Sequence, residues 1–109
     1  MGISYKVLGQ INPTANVANT IYTVPSATSA VVSTVTICNL ANTAGTFKIA
    51  VRPTGEALAN KHYVAYDTTV PANDMVALTL GITMGATDVL SCNASSNNIT
   101  FSAFGSEIV

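Results

Sequence analysis

The sequence has very little charge. Lys, Arg, Asp and Glu together make up 8% of the 109 residues, there is a single His, and the net charge is −1, whereas a soluble domain usually carries about 25% charged residues. The four basic residues are scattered, so they form neither the clustered patch that nucleic acid requires nor a polybasic segment for an anionic membrane. We therefore expect neither nucleic acid nor a membrane as a partner.

Long hydrophobic runs are also missing. No apolar segment reaches the roughly 18 residues that are needed to span a membrane, and the opening letters MGISYKVLGQ lack the long apolar core of a cleaved signal peptide. Lys6 stands where a myristoylation pattern requires Ser or Thr. We expect the chain to be made in a cytoplasm and not to be exported by a cleaved signal.

Cysteine is scarce and tryptophan is missing. Cys38 and Cys92 both fall in predicted strands, so they could form a disulfide between two sheets, as in immunoglobulin domains. The lack of Trp, and Leu90 in place of a corner tyrosine two positions before the second Cys, do not fit that pattern. Since cytosolic proteins rarely keep disulfides, we favour two buried free thiols that act as small apolar groups.

Motifs that carry chemistry are missing as well. The chain has no G-x-S-x-G, no H-x-H, no C-x-x-C and no phosphate-binding glycine pattern. His62, the single histidine, is interpreted as an ordinary residue at the rim of a strand rather than as a catalytic one. Asp67, Asp74 and Asp88 are interpreted as turn residues rather than as calcium ligands. We predict no catalytic residue, no cofactor and no metal, and hence a protein that is not an enzyme.

What the chain does have is a regular succession of turn signals between short runs rich in Val, Ile, Thr, Tyr and Phe. This spacing is typical of an all-β sandwich or barrel, and 109 residues suffice for one domain with its own core. We predict a single domain over residues 1–109, an eight-stranded antiparallel β-sandwich that is jelly-roll-like, with an immunoglobulin-like topology as the alternative. The predicted strands are at about 4–10, 20–24, 30–38, 46–52, 61–67, 74–80, 88–93 and 98–104.

Alternation within these strands predicts which side chains face the core. Lys48, Ala50 and Arg52 are expected to point outward. The expected inward sets are Phe47, Ile49 and Val51; Val76, Leu78 and Leu80; and Ile99, Phe101 and Ala103.

The segment SAVVSTVTICN, residues 29–39, has no charge on either face. A strand with one wet face usually shows Lys or Glu there, so the outer face is expected to be covered by a second sheet or by a neighbour. Strict alternation places Val31, Val35 and Ile37 on one face, and Ala30, Val32, Thr34, Thr36 and Cys38 on the other.

Half of the ten charged or histidine side chains lie in VRPTGEALANKHYVAYD, residues 51–67. We interpret residues 52–62 as the longest loop, containing at most one helical turn, with charges that pair either within the subunit or with a neighbour. Alternation puts Tyr63 and Tyr66 on opposite faces of one strand, which argues against a stacking surface for sugar. The predicted interface comprises Ala30, Val32, Thr34 and Thr36, with Arg52, Glu56, Lys61, His62, Tyr63 and Asp67 at its rim or against another protein.

The whole chain also resembles a known group of proteins. The segments TIYTVPSATSAVVSTVTICN, GTFKIAVRP, ALANKHYVAYD, LGITMGATDVL and ITFSAFGSE resemble small all-β structural proteins of tailed bacteriophages, in particular phages of aquatic bacteria including cyanobacteria. The likeness runs from about Leu8 to Glu107. It implies a non-enzymatic virion protein present in many copies and assembled in the host cytoplasm, first of all a capsid decoration or cement protein. A tail or tail-fibre adhesin and a sugar-binding recognition module are the alternatives.

Low charge also predicts self-association. Neutral outer faces and open sheet edges invite contact between β domains, and a closed ring covers both. We expect the partners to be copies of the chain itself, as a trimer by analogy with virion proteins, and other virion proteins such as the major capsid protein.

Overall fold

Eight strands follow one another along the chain, at nearly the predicted places. The computed structural model describes residues 2–109, and the prediction of an all-β fold is confirmed. Single 3₁₀ turns at Pro53–Gly55 and Asn60–His62 are the helical pieces of this part of the chain, and no helix in it is long and apolar enough to cross a membrane. The strands are β1 (Ile3–Ile11), β2 (Asn19–Thr23), β3 (Ser29–Asn39), β4 (Gly45–Arg52), β5 (Tyr63–Val70), β6 (Met75–Met84), β7 (Val89–Ala94) and β8 (Ile99–Ile108).

The strands form two four-stranded antiparallel sheets, in the orders β1-β8-β3-β6 and β2-β7-β4-β5. Sequence neighbours β1 and β2 lie in different sheets, whereas the two ends of the chain, β1 and β8, pair with each other. This is the strand order of a jelly roll, in which eight strands form two Greek keys. The jelly-roll-like prediction is therefore confirmed, and the immunoglobulin-like alternative is wrong.

The core lies between the two sheets and is built from the alternate side chains of each strand. Phe47 of β4 meets Phe101 of β8 edge to face, with ring centroids 6.2 Å apart. Such a pair adds about 0.5–1.5 kcal/mol to the free energy gained by burial. Ile49, Ile99 and Ala103 are also fully buried, so the inward sets predicted for β4 and β8 are confirmed at these positions.

The outward prediction for the first half of β3 is wrong, because a β-bulge interrupts its alternation. The pairing of β3 with β8 passes from Val32 directly to Thr34, which leaves Ser33 as the extra residue. A one-residue bulge reverses the facing of every side chain beyond it. Ala30 and Val32 are consequently fully buried in the core and cannot contribute to an interface, whereas Thr34 lies on the outer face as predicted.

A second irregularity lies in β6, which is longer than predicted and leaves Leu80 exposed although alternation predicts it inward. Leu80 and Gly81 together stand opposite the bulged Ser33 of β3. Gly81 adopts a φ of 62°, a left-handed conformation that glycine tolerates. The strand therefore includes Gly81 and continues to Met84, instead of ending in a turn at Gly81.

Both thiols are free, as favoured from the sequence. Cys92 points into the core, and burial raises its pKa to about 12. The other thiol is only partly buried, because Cys38 lies on the outer face of the opposite sheet, paired with Met75 and Thr100.

Candidate functional site

The outer face of the β1-β8-β3-β6 sheet carries no charged side chain. Directly paired residues of antiparallel strands point to the same side of a sheet, so the pairing of β1, β8, β3 and β6 identifies its members row by row. We call this surface the uncharged face. Its members are Ile3, Ile108 and Ser29; Tyr5, Ser106, Val31 and Thr83; Val7, Phe104, Thr34 and Thr79; Gln10, Ser102, Thr36 and Ala77; and Thr100, Cys38 and Met75.

One end of the uncharged face is strongly apolar. Alternate residues of the edge strand β1 are widely exposed, at 56% for Ile3, 83% for Tyr5 and 50% for Val7. Tyr5 also lines an open groove of about 360 Å³ together with Val31 and Phe104. Exposed apolar side chains on an edge strand, which also has unpaired backbone groups, are typical of a surface that contacts another chain.

This sheet does contain an ion pair, Lys6 of β1 and Glu107 of β8, but it lies on the inner side of the sheet. The ammonium of Lys6 is 2.6 Å from a carboxylate oxygen of Glu107, and the hydroxyl of Tyr22 donates a hydrogen bond to the other oxygen. These two hydrogen bonds hold the pKa of Glu107 below its ordinary value. Burial, and then the hydrogen bond to Glu107, raise the pKa of Tyr22. This network ties β1, β2 and β8 together without placing charge on the outer face.

Arg52 fastens the loop after β4 to β7, the neighbouring strand in the β2-β7-β4-β5 sheet. Its Nε donates to the hydroxyl of Ser91 at 3.0 Å, and its Nη1 donates to the backbone carbonyls of Glu56 at 2.9 Å and of Gly55 at 3.4 Å. The loop between β6 and β7 also takes part, because its Asp88 accepts a hydrogen bond from the backbone N–H of Thr54 at 2.8 Å. Arg52 is thus used inside the subunit.

His62 is buried rather than at the rim, which corrects the prediction. Its Nδ1 accepts a hydrogen bond from the backbone N–H of Ala59 at 3.0 Å, and its Nε2 lies 3.2 Å from a carboxylate oxygen of Glu56. This pattern places the proton on Nε2, so the imidazole donates to Glu56. That hydrogen bond and the charge of Lys61, 3.5 Å away, hold the pKa of Glu56 below its ordinary value. Both ring nitrogens of His62 therefore make hydrogen bonds within the loop between β4 and β5.

Tyr63 and Tyr66 lie on the same face of β5, contrary to the alternation argument. Tyr63 pairs with Ala50, whereas Tyr66 and Asp67 together stand opposite Lys48, because β5 contains two irregularities relative to β4. The two rings meet edge to face with centroids 4.9 Å apart.

A polar pair completes this cluster. The ammonium of Lys48 lies 4.8 Å from the ring centroid of Tyr66 and 2.6 Å from a carboxylate oxygen of Asp67. The hydrogen bond to Asp67 raises the pKa of Lys48. Asn60 and the two tyrosines line an open hollow of about 420 Å³ beside it. We call Asn60, Tyr63, Tyr66, Lys48 and Asp67 the tyrosine hollow.

The structure does not bring all predicted interface residues together. Thr34 and Thr36 lie on the uncharged face, whereas the residues predicted at its rim lie on or above the outer face of β2-β7-β4-β5. They therefore cannot surround the same contact. The residues on this second sheet are Arg52, Glu56, Lys61, His62, Tyr63 and Asp67.

Two of the acidic residues serve turns, as interpreted from the sequence. Asp74 accepts a hydrogen bond from the N–H of Met75 at 2.7 Å, and Asp88 accepts one from the N–H of Gly85 at 2.8 Å. Within residues 2–109, no group of three or more His, Cys, Asp or Glu side chains is placed to hold a metal ion.

Comparison of the chain with models of known protein families gives no match, and comparison with curated proteins gives none either. The chemistry of the two outer faces is therefore the basis for proposing a function.

Proposed function

We propose that the protein is a non-enzymatic structural subunit that works through protein–protein contacts made by the uncharged face. The observation that carries this proposal is that all four strands of one sheet present neutral side chains outward, from Ile3 on β1 to Thr79 on β6. A sheet with one face in water usually shows charged residues on that face. Here the few charges of the chain lie elsewhere.

The chemistry of the uncharged face suits burial against another protein. Burial of Val and Ala side chains is favourable, and the hydroxyls of Thr and Ser can exchange hydrogen bonds with a partner, whereas an ion that loses its hydration without a partner is costly. Aromatic residues such as Tyr5 and Phe104 are enriched in the buried centres of interfaces, and charged residues are depleted there. Two copies of this face bring no like charges together, so the surface is compatible with itself.

The proposed setting is the virion of a tailed bacteriophage, on the capsid as a decoration or cement protein, assembled in the host cytoplasm. Support for this setting comes from the resemblance of segments such as TIYTVPSATSAVVSTVTICN and ALANKHYVAYD to phage structural proteins. The jelly roll is compatible with it, because this fold occurs in viral capsid proteins but also in lectins and enzymes. The proposed partners are copies of the chain, as a trimer, and the major capsid protein.

The test is the location and copy number of the protein in particles of the phage that encodes it. Quantitative mass spectrometry of separated heads and tails should find many copies on heads. Heads that lack the protein should burst at lower temperature or under milder osmotic shock than complete heads. Protein found on tails alone, with loss of host adsorption when it is removed, would show the adhesin alternative instead. Protein found in no particle at all would overturn the virion proposal.

A further inference from the structure

We propose that the tyrosine hollow binds a neutral carbohydrate. It lies on the β2-β7-β4-β5 sheet, away from the uncharged face, so the inference does not depend on the proposed assembly function. Sugar rings have apolar C–H faces that pack on aromatic side chains, and hydroxyl groups that exchange hydrogen bonds with polar neighbours. A site for them needs exposed aromatic rings with amide or carboxylate groups beside them.

The geometry supplies these groups in one place. Tyr66 is 60% exposed and meets the ring of Tyr63 at an interplanar angle of 81°, so two aromatic planes border the hollow at nearly right angles. Asn60 adds an amide that can both donate and accept hydrogen bonds. The hollow measures about 420 Å³, within the roughly 300–1,000 Å³ of small-molecule clefts.

The charges around the hollow select a neutral ligand. The ammonium of Lys48 lies over the ring of Tyr66 at 4.8 Å, so it occupies one of the two ring faces that a cationic ligand would use and repels a second cation nearby. The same ammonium is paired with Asp67 at 2.6 Å, so it is not free to attract an anion. A polyhydroxylated molecule without charge avoids both conflicts. The shallow, open shape predicts weak binding, with a dissociation constant of about 1 mM.

The test is a nuclear magnetic resonance titration of the ¹⁵N-labelled full chain with maltose, cellobiose and N,N′-diacetylchitobiose. At least one of these sugars should give saturable shifts centred on the amides of Asn60, Tyr63 and Tyr66. Tyr66→Ala should weaken binding about tenfold or more, and Tyr66→Phe should keep it within about twofold, because the ring rather than the hydroxyl makes the contact. Tyr5→Ala, which removes an exposed tyrosine from the uncharged face, is the matched control and should leave binding unchanged.

Three results would overturn the inference. The first is the lack of any saturable shift with all three sugars up to about 50 mM, well above the expected constant. The second is tighter binding of tetramethylammonium or inorganic sulfate at the same amides, since it would show that the hollow prefers charge. The third is dissociation of an oligomer by Tyr66→Ala without any change in sugar binding, which would make the hollow a contact between subunits.

Discussion

At the level of single residues, Gly105 shows how closely β8 and β3 approach each other in the β1-β8-β3-β6 sheet. A Cβ atom at Gly105 would lie 1.9 Å from the carbonyl oxygen of Val31 on the neighbouring strand, far inside contact distance. We predict that Gly105→Ala lowers the free energy of unfolding by about 1–3 kcal/mol, because the strands must separate locally to admit the methyl group. Urea denaturation measures the change. Gly2→Ala, where nothing lies within 4 Å of the added atom, is the control, and equal stability of both variants would contradict the account.

Glu107 gives a prediction for the pH dependence of stability. The hydrogen bonds from Lys6 and Tyr22 depress its pKa in the folded state, so its contribution is present above the ordinary value of about 4.3 and is lost as the pH falls through the folded value. Glu107→Gln should cost about 1.5–3 kcal/mol at neutral pH, the range for hydrogen bonds to a charged group.

The same variant should lose less stability than the wild type on acidification. Urea denaturation at about pH 7 and at about pH 3 compares the two proteins over the range in which Glu107 becomes protonated. An identical acid-side loss in both proteins would show that the Lys6–Glu107–Tyr22 network does not contribute to stability.

At the scale of elements, sequence periodicity predicts the strands well and their facing only in part. Regular alternation in β4 and β8 correctly places Phe47, Ile49 and Phe101 in the core. The same reasoning fails in two strands. In β3 an extra residue reverses which side chains face the core. In β5 an irregular register brings Tyr63 and Tyr66 to the same face. Nothing in the letters SAVVSTV marks Ser33 as a bulge, because bulges arise from how neighbouring strands twist and pair.

The apolar end of the uncharged face could not have been predicted from sequence alternation. In ISYKV, residues 3–7, the alternate positions hold Ile3, Tyr5 and Val7, with Ser4 and Lys6 between them. A half-buried strand usually turns its apolar set toward the core. Here Lys6 faces inward because Glu107 and Tyr22 lie there to receive it. The interior partner of Lys6 is far away in sequence, which is why alternation alone gives no warning of the reversal.

Substitution of Arg52 tests whether its hydrogen bonds anchor the loop between β4 and β5. Its side chain donates to Ser91 and to the carbonyls of Gly55 and Glu56, so Arg52→Ala should cost about 1–2 kcal/mol and speed hydrogen exchange in residues 53–62. Lys61→Ala is the matched control, because its pair with Glu56 is exposed to solvent and such pairs contribute little to stability. Equal loss of stability in both variants would contradict the fastening role of Arg52.

At the scale of the whole molecule, the two outer faces divide the surface by chemistry. The β2-β7-β4-β5 side carries Lys48, Arg52 and Asp67 and the loop that contains Glu56. The outer face of the β1-β8-β3-β6 sheet carries Thr, Ser, Gln10 and apolar side chains, and no charged one. The low charge predicts association of the chain, and we propose the uncharged face as the contact. A stable contact there must bury about 1,000 Å² or more in total.

Multi-angle light scattering of the purified chain shows whether the uncharged face mediates assembly. At about 10 µM, well above the dissociation constant of a stable complex, the wild type should be an oligomer, and Thr34→Lys should be a folded monomer because it places an unpaired ammonium in the contact. Thr20→Lys, the same change on the outer face of β2, should leave the oligomer intact. Two results would contradict assembly through the uncharged face. One is a wild type that stays monomeric and binds no phage head or tail. The other is an oligomer that Thr20→Lys dissociates and Thr34→Lys does not.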